Sequence, residues 1–189
     1  MQILKDDFAG ISGEELYRRF LDGDECSFEA LVTLYRESLT RYIYSFIKDM
    51  RDAEEIMIDA FAELAASKKY RGQSSIKTYL FSIGRHLAIR HARKFGNKNT
   101  VPFDSIDFDP DEITPEAGYL RAEQDGSVQT AMHSLKPDYH EVLRLVYFKN
   151  MSYADVGQTM RKTKKQVENL VYRARASLKK KLADKGEFL

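Results

Sequence analysis

The sequence predicts an all-α fold of two small helical domains joined by an acidic linker, the second domain containing a helix-turn-helix. Apolar residues recur at three- and four-residue steps through most of the 189 residues, whereas no stretch alternates over four or more residues as a strand would. Residues 96–114 have no sustained periodicity, are acidic and hold two of the four prolines, which is typical of a linker. The predicted domains are therefore residues 1–95 and 115–189.

Four helices are predicted in the first domain. The first spans Gly13–Leu21 and ends at the turn "DGDE", after which "SFEALVTLYRESLTRYIYSFIKD" forms a long amphipathic helix. Asp52 is expected to cap the third helix, "AEEIMIDAFAELAAS", and Ser74 or Ser75 to cap a fourth that runs to about Lys94. Each helix has one apolar stripe, so together they can enclose a single core.

The second domain is predicted to start with Thr114 and Pro115 as the N-cap and first residue of a helix. Three more helical segments follow, "PDYHEVLRLVYFKN", "SYADVGQTM" and "TKKQVENLVYRARASLKKKL", and a turn at Arg161–Thr163 separates the last two. Small residues at Ala154 and Gly157 are expected where these two helices cross closely. This arrangement is a helix-turn-helix, whose second helix enters the major groove of DNA.

Charge is divided into blocks, although the net charge is only +1. Residues 1–67 hold 7 basic and 15 acidic side chains, and residues 68–95 hold 8 basic and none acidic. Residues 96–127 then hold 2 basic and 8 acidic side chains, and residues 128–185 hold 13 basic and 5 acidic side chains. The blocks indicate two basic surfaces that could bind a polyanion, each preceded by an acidic segment. The alternative is that they are ordinary solvated faces of a helical protein.

The motifs of common enzymes are missing. No glycine-rich phosphate loop and no Gly-x-Ser-x-Gly turn occurs, and the four histidines have no metal-ligand spacing. We therefore expect no enzyme activity, no cofactor and no metal. The single cysteine, Cys26, excludes an internal disulfide and is expected to be a small buried group in a reducing compartment. Without a long apolar run or a signal peptide, the protein is expected to be cytoplasmic, with no membrane insertion.

The last helix has the pattern of a DNA-reading helix. Four apolar residues face inward or flank the core: Val167, Leu170, Val171 and Ala174. The outward set is Lys164, Lys165, Glu168, Asn169, Tyr172, Arg173 and Arg175. Asn169 and Arg173 can pair with adenine and guanine edges and Glu168 with a cytosine amine, while lysines suit phosphates. The alternative is a helical hairpin that merely has a basic surface.

Two surfaces of the first domain also have a functional pattern. The segment "KKYRGQSSIKTYLFSIGRHLAIRHARK" interleaves basic residues with aromatic rings, which suits single-stranded nucleic acid, although Tyr79 and Phe81 could instead border the core. In the third helix, Glu55, Asp59 and Glu63 form an acidic line on the face opposite the apolar stripe. That line is expected to be exposed.

Taken in this order, the blocks resemble a bacterial RNA polymerase sigma factor of the extracytoplasmic-function type, which has only the domains called sigma-two and sigma-four. The resemblance covers roughly Asp24–Lys94 and Val128–Lys181. "RDAEEIMIDAFAELA" is similar to the family's polymerase-binding helix, "YRGQSSIKTYLFSIGRHLAIRHARK" to its segment that melts and reads the −10 element, and the region from "LKPDYHEV" to "LKKKL" to its −35-reading domain.

The resemblance implies roles for residues of this chain. Glu55, Asp59 and Glu63 would dock on the coiled coil of the largest subunit of core polymerase. The −10 contacts would come from Tyr70, Arg71, Tyr79, Arg85, His86, Arg90 and Arg93. The −35 contacts would come from Lys164, Lys165, Glu168, Asn169, Tyr172 and Arg173. The partners would be core polymerase, promoter DNA and an anti-sigma factor, and polymerase would perform the chemistry.

The chain departs from the family pattern in several places. Tyr79 stands where tryptophan is usual and His86 where asparagine is usual, which affects the preferred −10 base. The usual "TVKSRL" is "QVENLV", so Glu168 occupies a position that is often basic. Gly157 replaces an alanine, at an expected cost of ~1 kcal/mol in helix stability.

Two other functions fit parts of the sequence. One is a helix-turn-helix transcription regulator whose N-terminal helices sense a ligand or dimerise, and the other is a helical adaptor that binds only proteins. A regulator needs neither the acidic docking helix nor the aromatic and basic segment, so these two features favour the sigma factor.

Overall fold

The computed structural model describes residues 8, 10–67, 69–95, 128 and 130–183. Within these residues the regular secondary structure is entirely helical, so the predicted all-α fold is confirmed. The chain divides into two compact units, which are described in turn. The predicted acidic linker and the predicted cap at Thr114 and Pro115 lie outside the described residues.

The first unit contains four helices: α1 (Gly13–Leu21), α2 (Glu25–Ile47), α3 (Met50–Ser67) and α4 (Ile76–Phe95). The long helix α2 packs against the other three. The core of the first unit consists of residues from all four helices that have almost no exposed surface, among them Leu16, Leu31, Leu39, Ile43, Leu64, Leu80 and Phe81. Three- and four-residue spacing puts these side chains on the inward face of each helix.

Polar side chains before all four of these helices satisfy main-chain groups that a helix start leaves unpaired. Ser75 Oγ accepts a hydrogen bond from an N–H in the first turn of α4 at 3.0 Å, which confirms one of the two predicted caps. The prediction of Asp52 as the cap of α3 is wrong. The helix begins at Met50, and Asp49 Oδ1 accepts from the N–H of Asp52 at 2.9 Å, because Asp49 is the acid directly before the first helical residue.

The prediction that Cys26 is buried is also wrong, because the side chain is exposed. It lies in the first turn of α2, where the neighbouring Ser27 takes the inward position and has no exposed surface. Leu31, one turn further along, continues that inward face. The helix phase therefore turns Cys26 outward.

Helix α4 lies unusually close to α2 at Gly84. A Cβ atom at this position would be 2.9 Å from Leu39 Cδ1 and 3.3 Å from Ile43 Cδ1. The missing side chain lets the two helix backbones approach, and it fixes α4 against the core. The outward residues of α4 are therefore held on a rigid element.

The second unit contains a helical stretch at residues 130–133 and three named helices: α5 (Pro137–Leu143), α6 (Tyr153–Met160) and α7 (Lys164–Ala183). A π-helical turn, Arg144–Phe148, continues α5 directly. Helix α5 packs on α7, and the core includes Leu135, Val142, Leu145, Val156, Met160, Val167, Val171 and Ala174. Helix α6 is one continuous helix and is described with this unit.

A tight turn connects α6 to α7. The Lys162 N–H donates to the carbonyl of Gly157 at 2.8 Å, and Arg161 between them has a left-handed φ of 55°. This is the hydrogen bond of a Schellman motif, which ends many helices. Thr163 then caps α7 reciprocally with Gln166. The Thr163 N–H donates to Gln166 Oε1 at 2.8 Å, and the Gln166 N–H donates to Thr163 Oγ1 at 3.2 Å.

Two expectations about the small residues of α6 need correction. Ala154 is exposed, so it does not lie where the helices cross. Gly157 does, since a Cβ atom there would be only 2.6 Å from the carbonyl oxygen of Lys162. The expected cost of glycine relative to alanine therefore does not apply, because in this turn alanine would collide with main chain.

Candidate functional site

The acidic line of α3 lies on the surface of the first unit. Glu55, Asp59 and Glu63 are all exposed, and spacing of four residues places them along one side of the helix. Arg51 Nε is 3.4 Å from Glu55 Oε1, and both side chains are largely solvated. A pair this exposed contributes little to stability, and with the charge of Arg51 counted the three acids still leave this side of the helix net negative.

An apolar residue that the sequence reasoning missed lies within this acidic face. Ile58 is 60% exposed, and it is three residues from Glu55 and next to Asp59. The signal was available, because Ile58 is out of phase with the inward stripe of α3. We call Glu55, Ile58, Asp59 and Glu63 the α3 face. An exposed apolar group beside acidic side chains fits a protein partner that is both basic and apolar.

The two tyrosines predicted to contact the −10 element, Tyr70 and Tyr79, lie together: Tyr70 in the connection between α3 and α4, and Tyr79 in the first turn of α4. Their ring centroids are 5.5 Å apart, and Tyr70 also stands edge-on to Tyr17 of α1 at 5.5 Å. The Tyr70 hydroxyl donates to the carbonyl of Ser74. Burial, followed by the negative charge of Glu14, raises the pKa of Tyr70. Tyr70 is thus part of the packing of this connection, and Tyr79 provides the neighbouring half-buried ring.

Helix α1 holds this connection in place. Glu14 Oε1 accepts a hydrogen bond from the N–H of Ile76 at 2.9 Å, so a carboxylate of α1 lies at the positive N-terminus of α4. Gly72 has a left-handed φ of 71°, which turns the chain next to the exposed side chain of Arg71. The contacts of Glu14 and Tyr17 were not predicted, because no local sequence pattern indicates contacts between segments so far apart in the chain.

The structure divides the predicted residues of α4 into two groups. Tyr79, His86, Arg90 and Arg93 project from nearly one line, because 3.6 residues complete a turn. His86, Arg90 and Arg93 are exposed, and Tyr79 is half-buried at one end of the line. We call these four residues the α4 line. Arg85 is about a third of a turn away and half-buried, so it does not join them.

Helix α7 presents a broader surface. Tyr172 is 76% exposed, and Lys164, Lys165, Asn169 and Arg173 are also exposed. Glu168 is half-buried, and Lys165 Nζ is 3.5 Å from its carboxylate. We call these six residues the α7 surface. Helical geometry puts Lys165, Asn169 and Tyr172 opposite the buried stripe, with Glu168 and Arg173 on either side of them. Such a helix can present amide, guanidinium and aromatic groups to base edges in the major groove.

No group of three or more potential metal-ligating side chains occurs among the described residues. Within the same residues, no helix is both long enough and apolar enough to span a membrane.

Comparisons with known families match both units. The family model "Sigma-70 region 2" matches residues 31–97, and "Sigma-70, region 4" matches residues 125–178, together well over half of the chain. The chain belongs to the sigma-70 family. The α3 face and the α4 line lie inside the region 2 match, and the α7 surface lies inside the region 4 match. Neither a helix-turn-helix regulator nor a protein-binding adaptor accounts for the region 2 match, so these two alternatives are set aside.

Curated sigma factors match over nearly the whole chain. The RNA polymerase sigma-H factor of Pseudomonas aeruginosa is 27% identical over 179 residues, covering 89% of this chain and 93% of that protein. The ECF RNA polymerase sigma factor SigX of Bacillus subtilis is 24% identical over 162 residues, covering 82% and 84%. These relatives confirm the resemblance to extracytoplasmic-function sigma factors that the sequence motifs indicated.

Two solved structures share the fold. CnrH, solved in complex with the cytosolic domain of CnrY, has a TM-score of 0.61 at 20% identity and matches 89% of this chain and 96% of that chain. The sigma factor RpoE of Bartonella quintana, solved with the anti-sigma factor NepR, has a TM-score of 0.60 at 21% identity, with coverage of 82% and 96%.

Proposed function

We propose that the chain is an RNA polymerase sigma factor of the extracytoplasmic-function type, which binds core polymerase and directs promoter-specific initiation. The observation that carries this function is the pairing of two basic helical surfaces, the α4 line and the α7 surface, in the regions that match sigma-70 regions 2 and 4. Polymerase performs the phosphodiester chemistry, and the chain itself is not an enzyme. The place of action is then the cytoplasm.

The α3 face is the proposed docking site for the coiled coil of the largest polymerase subunit. Glu55, Asp59 and Glu63 supply negative charge that favours a basic partner and speeds its association. Ile58 lies among them with 60% of its surface exposed, and burying it would add an apolar anchor. The exposed position of all four residues supports this role.

The α4 line is the proposed reader of the melted −10 element. Arg90 and Arg93 would hold the backbone of the single strand, and the half-buried ring of Tyr79 would stack on an unpaired base. Stacking is worth about 1–3 kcal/mol per base, which offsets part of the few kcal/mol needed to unstack it. His86 lies between Tyr79 and the arginines. Tyr70 supports Tyr79 by ring packing. Arg71 and Arg85, which are not part of the α4 line, would contact the same strand from beside it.

The α7 surface is the proposed reader of the −35 duplex. Asn169 and Arg173 are exposed and can pair with adenine and guanine, while Lys164 and Lys165 suit phosphates. The ion pair with Lys165 holds the carboxylate of Glu168, which can accept from a cytosine amine. Tyr172 adds an exposed ring that can contact a thymine methyl group.

The predicted domains keep their boundaries in this proposal. Residues 1–95 bind polymerase and the −10 element, residues 96–114 form the acidic linker, and residues 115–189 bind the −35 element. CnrH was solved with the cytosolic domain of CnrY, and the Bartonella protein was solved with an anti-sigma factor. We therefore infer that an anti-sigma protein also binds this chain.

Reversing charge on the α3 face tests the docking role. Asp59→Lys combined with Glu63→Lys should weaken the affinity for sigma-free core polymerase at least tenfold, a change of about 1.4 kcal/mol or more, because it turns attraction into repulsion. The matched control is Glu25→Lys with Glu29→Lys on α2, which changes net charge equally at two exposed positions with the same spacing. Fluorescence anisotropy of the labelled full chain measures both. Equal affinities for the two double variants would refute the assignment.

A further inference from the structure

One exposed pair of side chains, on the flank of α7, has no part in the function proposed above. The guanidinium carbon of Arg175, in α7, lies 5.7 Å from the ring centroid of Tyr147. Both side chains reach solvent, and the tyrosine is 48% exposed. A ring that only filled the core would not leave half of its surface in water. The pair is a cation–π contact at the edge of the α7 surface.

The π-helical turn explains how Tyr147 reaches this position. The Lys149 N–H donates to the carbonyl of Arg144 at 3.1 Å, which is the five-residue step of a π-helix. Val142 and Leu145 point into the core, and the wider turn then directs Tyr147 outward beside α7. Turns of this kind are rare and occur frequently at functional sites.

Arg175 lies on the flank of α7, not on its outermost line. It is one turn beyond Tyr172 and two turns beyond Glu168, so it continues that side of the α7 surface. The major groove is about 12 Å wide, close to the 10–12 Å diameter of a helix with its side chains. Side chains opposite the buried stripe therefore meet base edges, whereas flanking side chains meet the phosphates that form the groove walls.

We propose that Arg175 contacts a phosphate beside the −35 element and that Tyr147 is the positioning residue that holds it there. A guanidinium that lies over an aromatic ring keeps its in-plane N–H groups available to donate to phosphate oxygens. The ring also restricts the rotamers of Arg175 before DNA binds, so less side-chain entropy is lost on binding. The contact adds affinity without sequence preference, in contrast to Asn169 and Arg173.

This inference rests on the proposed function, so it is tested in the holoenzyme. The full chain is assembled with sigma-free core polymerase, and its affinity for a promoter duplex and for the same duplex with a scrambled −35 element is measured across a salt series. Arg175→Ala should weaken both by about tenfold and lower the magnitude of the salt slope by roughly 0.9. Tyr147→Leu should weaken both by about two- to fivefold, and Tyr147→Phe should restore binding because it keeps the ring.

A double-mutant cycle separates positioning from a merely structural role. With Arg175→Ala already present, Tyr147→Leu should have no further effect on DNA affinity. Phe148→Leu, which removes the adjacent exposed ring, is the matched control and should leave the salt slope unchanged. Additive effects of Tyr147→Leu and Arg175→Ala, or a loss confined to the intact −35 sequence, would overturn the proposal.

Two further outcomes are distinguishable. If the unmodified chain forms no holoenzyme, or its holoenzyme does not bind the promoter, the proposed function itself fails. If the unmodified holoenzyme binds and Tyr147→Leu reduces affinity for core polymerase instead of DNA, the ring belongs to a protein interface, and the positioning role is wrong.

Discussion

Helices α4 and α7 are both basic and both 20 residues long, yet they are built differently. Helix α4 buries eight residues, including the glycine that allows close approach to α2, whereas α7 buries only four. In α4 the side chains proposed to contact DNA therefore share a helix with the core of the first unit. In α7 most of the helix circumference is surface, and a narrow stripe attaches it to the second unit.

The difference corresponds to the two kinds of DNA proposed for them. A melted strand is flexible, so its reader gains from a rigid line of side chains next to aromatic rings that are already packed. A duplex is already shaped, so its reader needs an exposed helix that fits into the groove. The comparison predicts that substitutions in α4 affect stability first, and that substitutions in α7 affect DNA recognition first.

The largest effect is expected for a core residue of α4. Leu80 has no exposed surface, so Leu80→Ala should lower the free energy of unfolding of the first unit by about 2–5 kcal/mol. On α7, Tyr172→Ala removes a side chain that is 76% exposed and should change stability by no more than about 0.5 kcal/mol. Urea denaturation followed by circular dichroism measures both. Similar losses would show that the two helices do not differ in the way described.

Recognition by α7 should be specific to sequence. Arg173→Ala should cost about 1–3 kcal/mol at a cognate −35 site and much less at a scrambled one, because its guanidinium is exposed on the groove-facing side. Lys164→Ala is the control, and it should weaken both sites alike if that lysine contacts phosphate. Competition binding with the holoenzyme measures these affinities. An equal loss of affinity at both sites for Arg173→Ala would show that Arg173 contacts the DNA backbone and not a base.

The turn before α7 should reject a side chain that α-helices ordinarily favour. Gly157→Ala should destabilise the second unit by about 1–2 kcal/mol, because the added Cβ meets the main-chain oxygen of Lys162 and outweighs the better helix propensity. At Gly84 in α4 the same change meets side-chain atoms of Leu39 and Ile43 and no main-chain atom among its nearest contacts, so the loss of stability should be smaller than at Gly157. Thermal unfolding of each variant compares them, and a stabilised Gly157→Ala protein would contradict this reading of the turn.

A smaller loss of stability than at Gly157 is expected at the start of α7. Thr163→Ala removes the oxygen that accepts from the Gln166 N–H and should cost about 1 kcal/mol of stability. Thr163→Ser keeps a hydroxyl at this position and should behave like the unmodified chain. The same thermal unfolding experiment resolves the two variants, and an equal loss for alanine and serine would exclude the capping bond as the cause.

Much of this fold was predictable because helices carry a local signal. The three- and four-residue spacing of apolar side chains located the buried stripes, and from them the exposed positions of Glu55 and Arg173. Cys26 and Ala154 were misplaced because residue type was weighed above helix phase. Ile58 was missed for the same reason, although its phase placed it outside the stripe.

Other parts of the site depend on contacts between distant segments. The hydrogen bond from Ile76 to Glu14 and the contact of Tyr70 with Tyr17 join α1 to the connection before α4, and no local pattern indicates them. The π-helical turn that places Tyr147 beside Arg175 is likewise invisible to a search based on the α-helical period. Such features depend on how the helices pack against one another, which residue spacing alone does not determine.

The central claim is that one chain supplies a polymerase-docking face and two DNA readers. The most direct test transcribes a random-sequence DNA library with sigma-free core polymerase, with and without the full chain, and sequences the RNA starts. New starts should appear that depend on the chain, lie downstream of two recurring sequence elements and disappear with Asp59→Lys and Glu63→Lys. The same starts with and without the chain would contradict the claim.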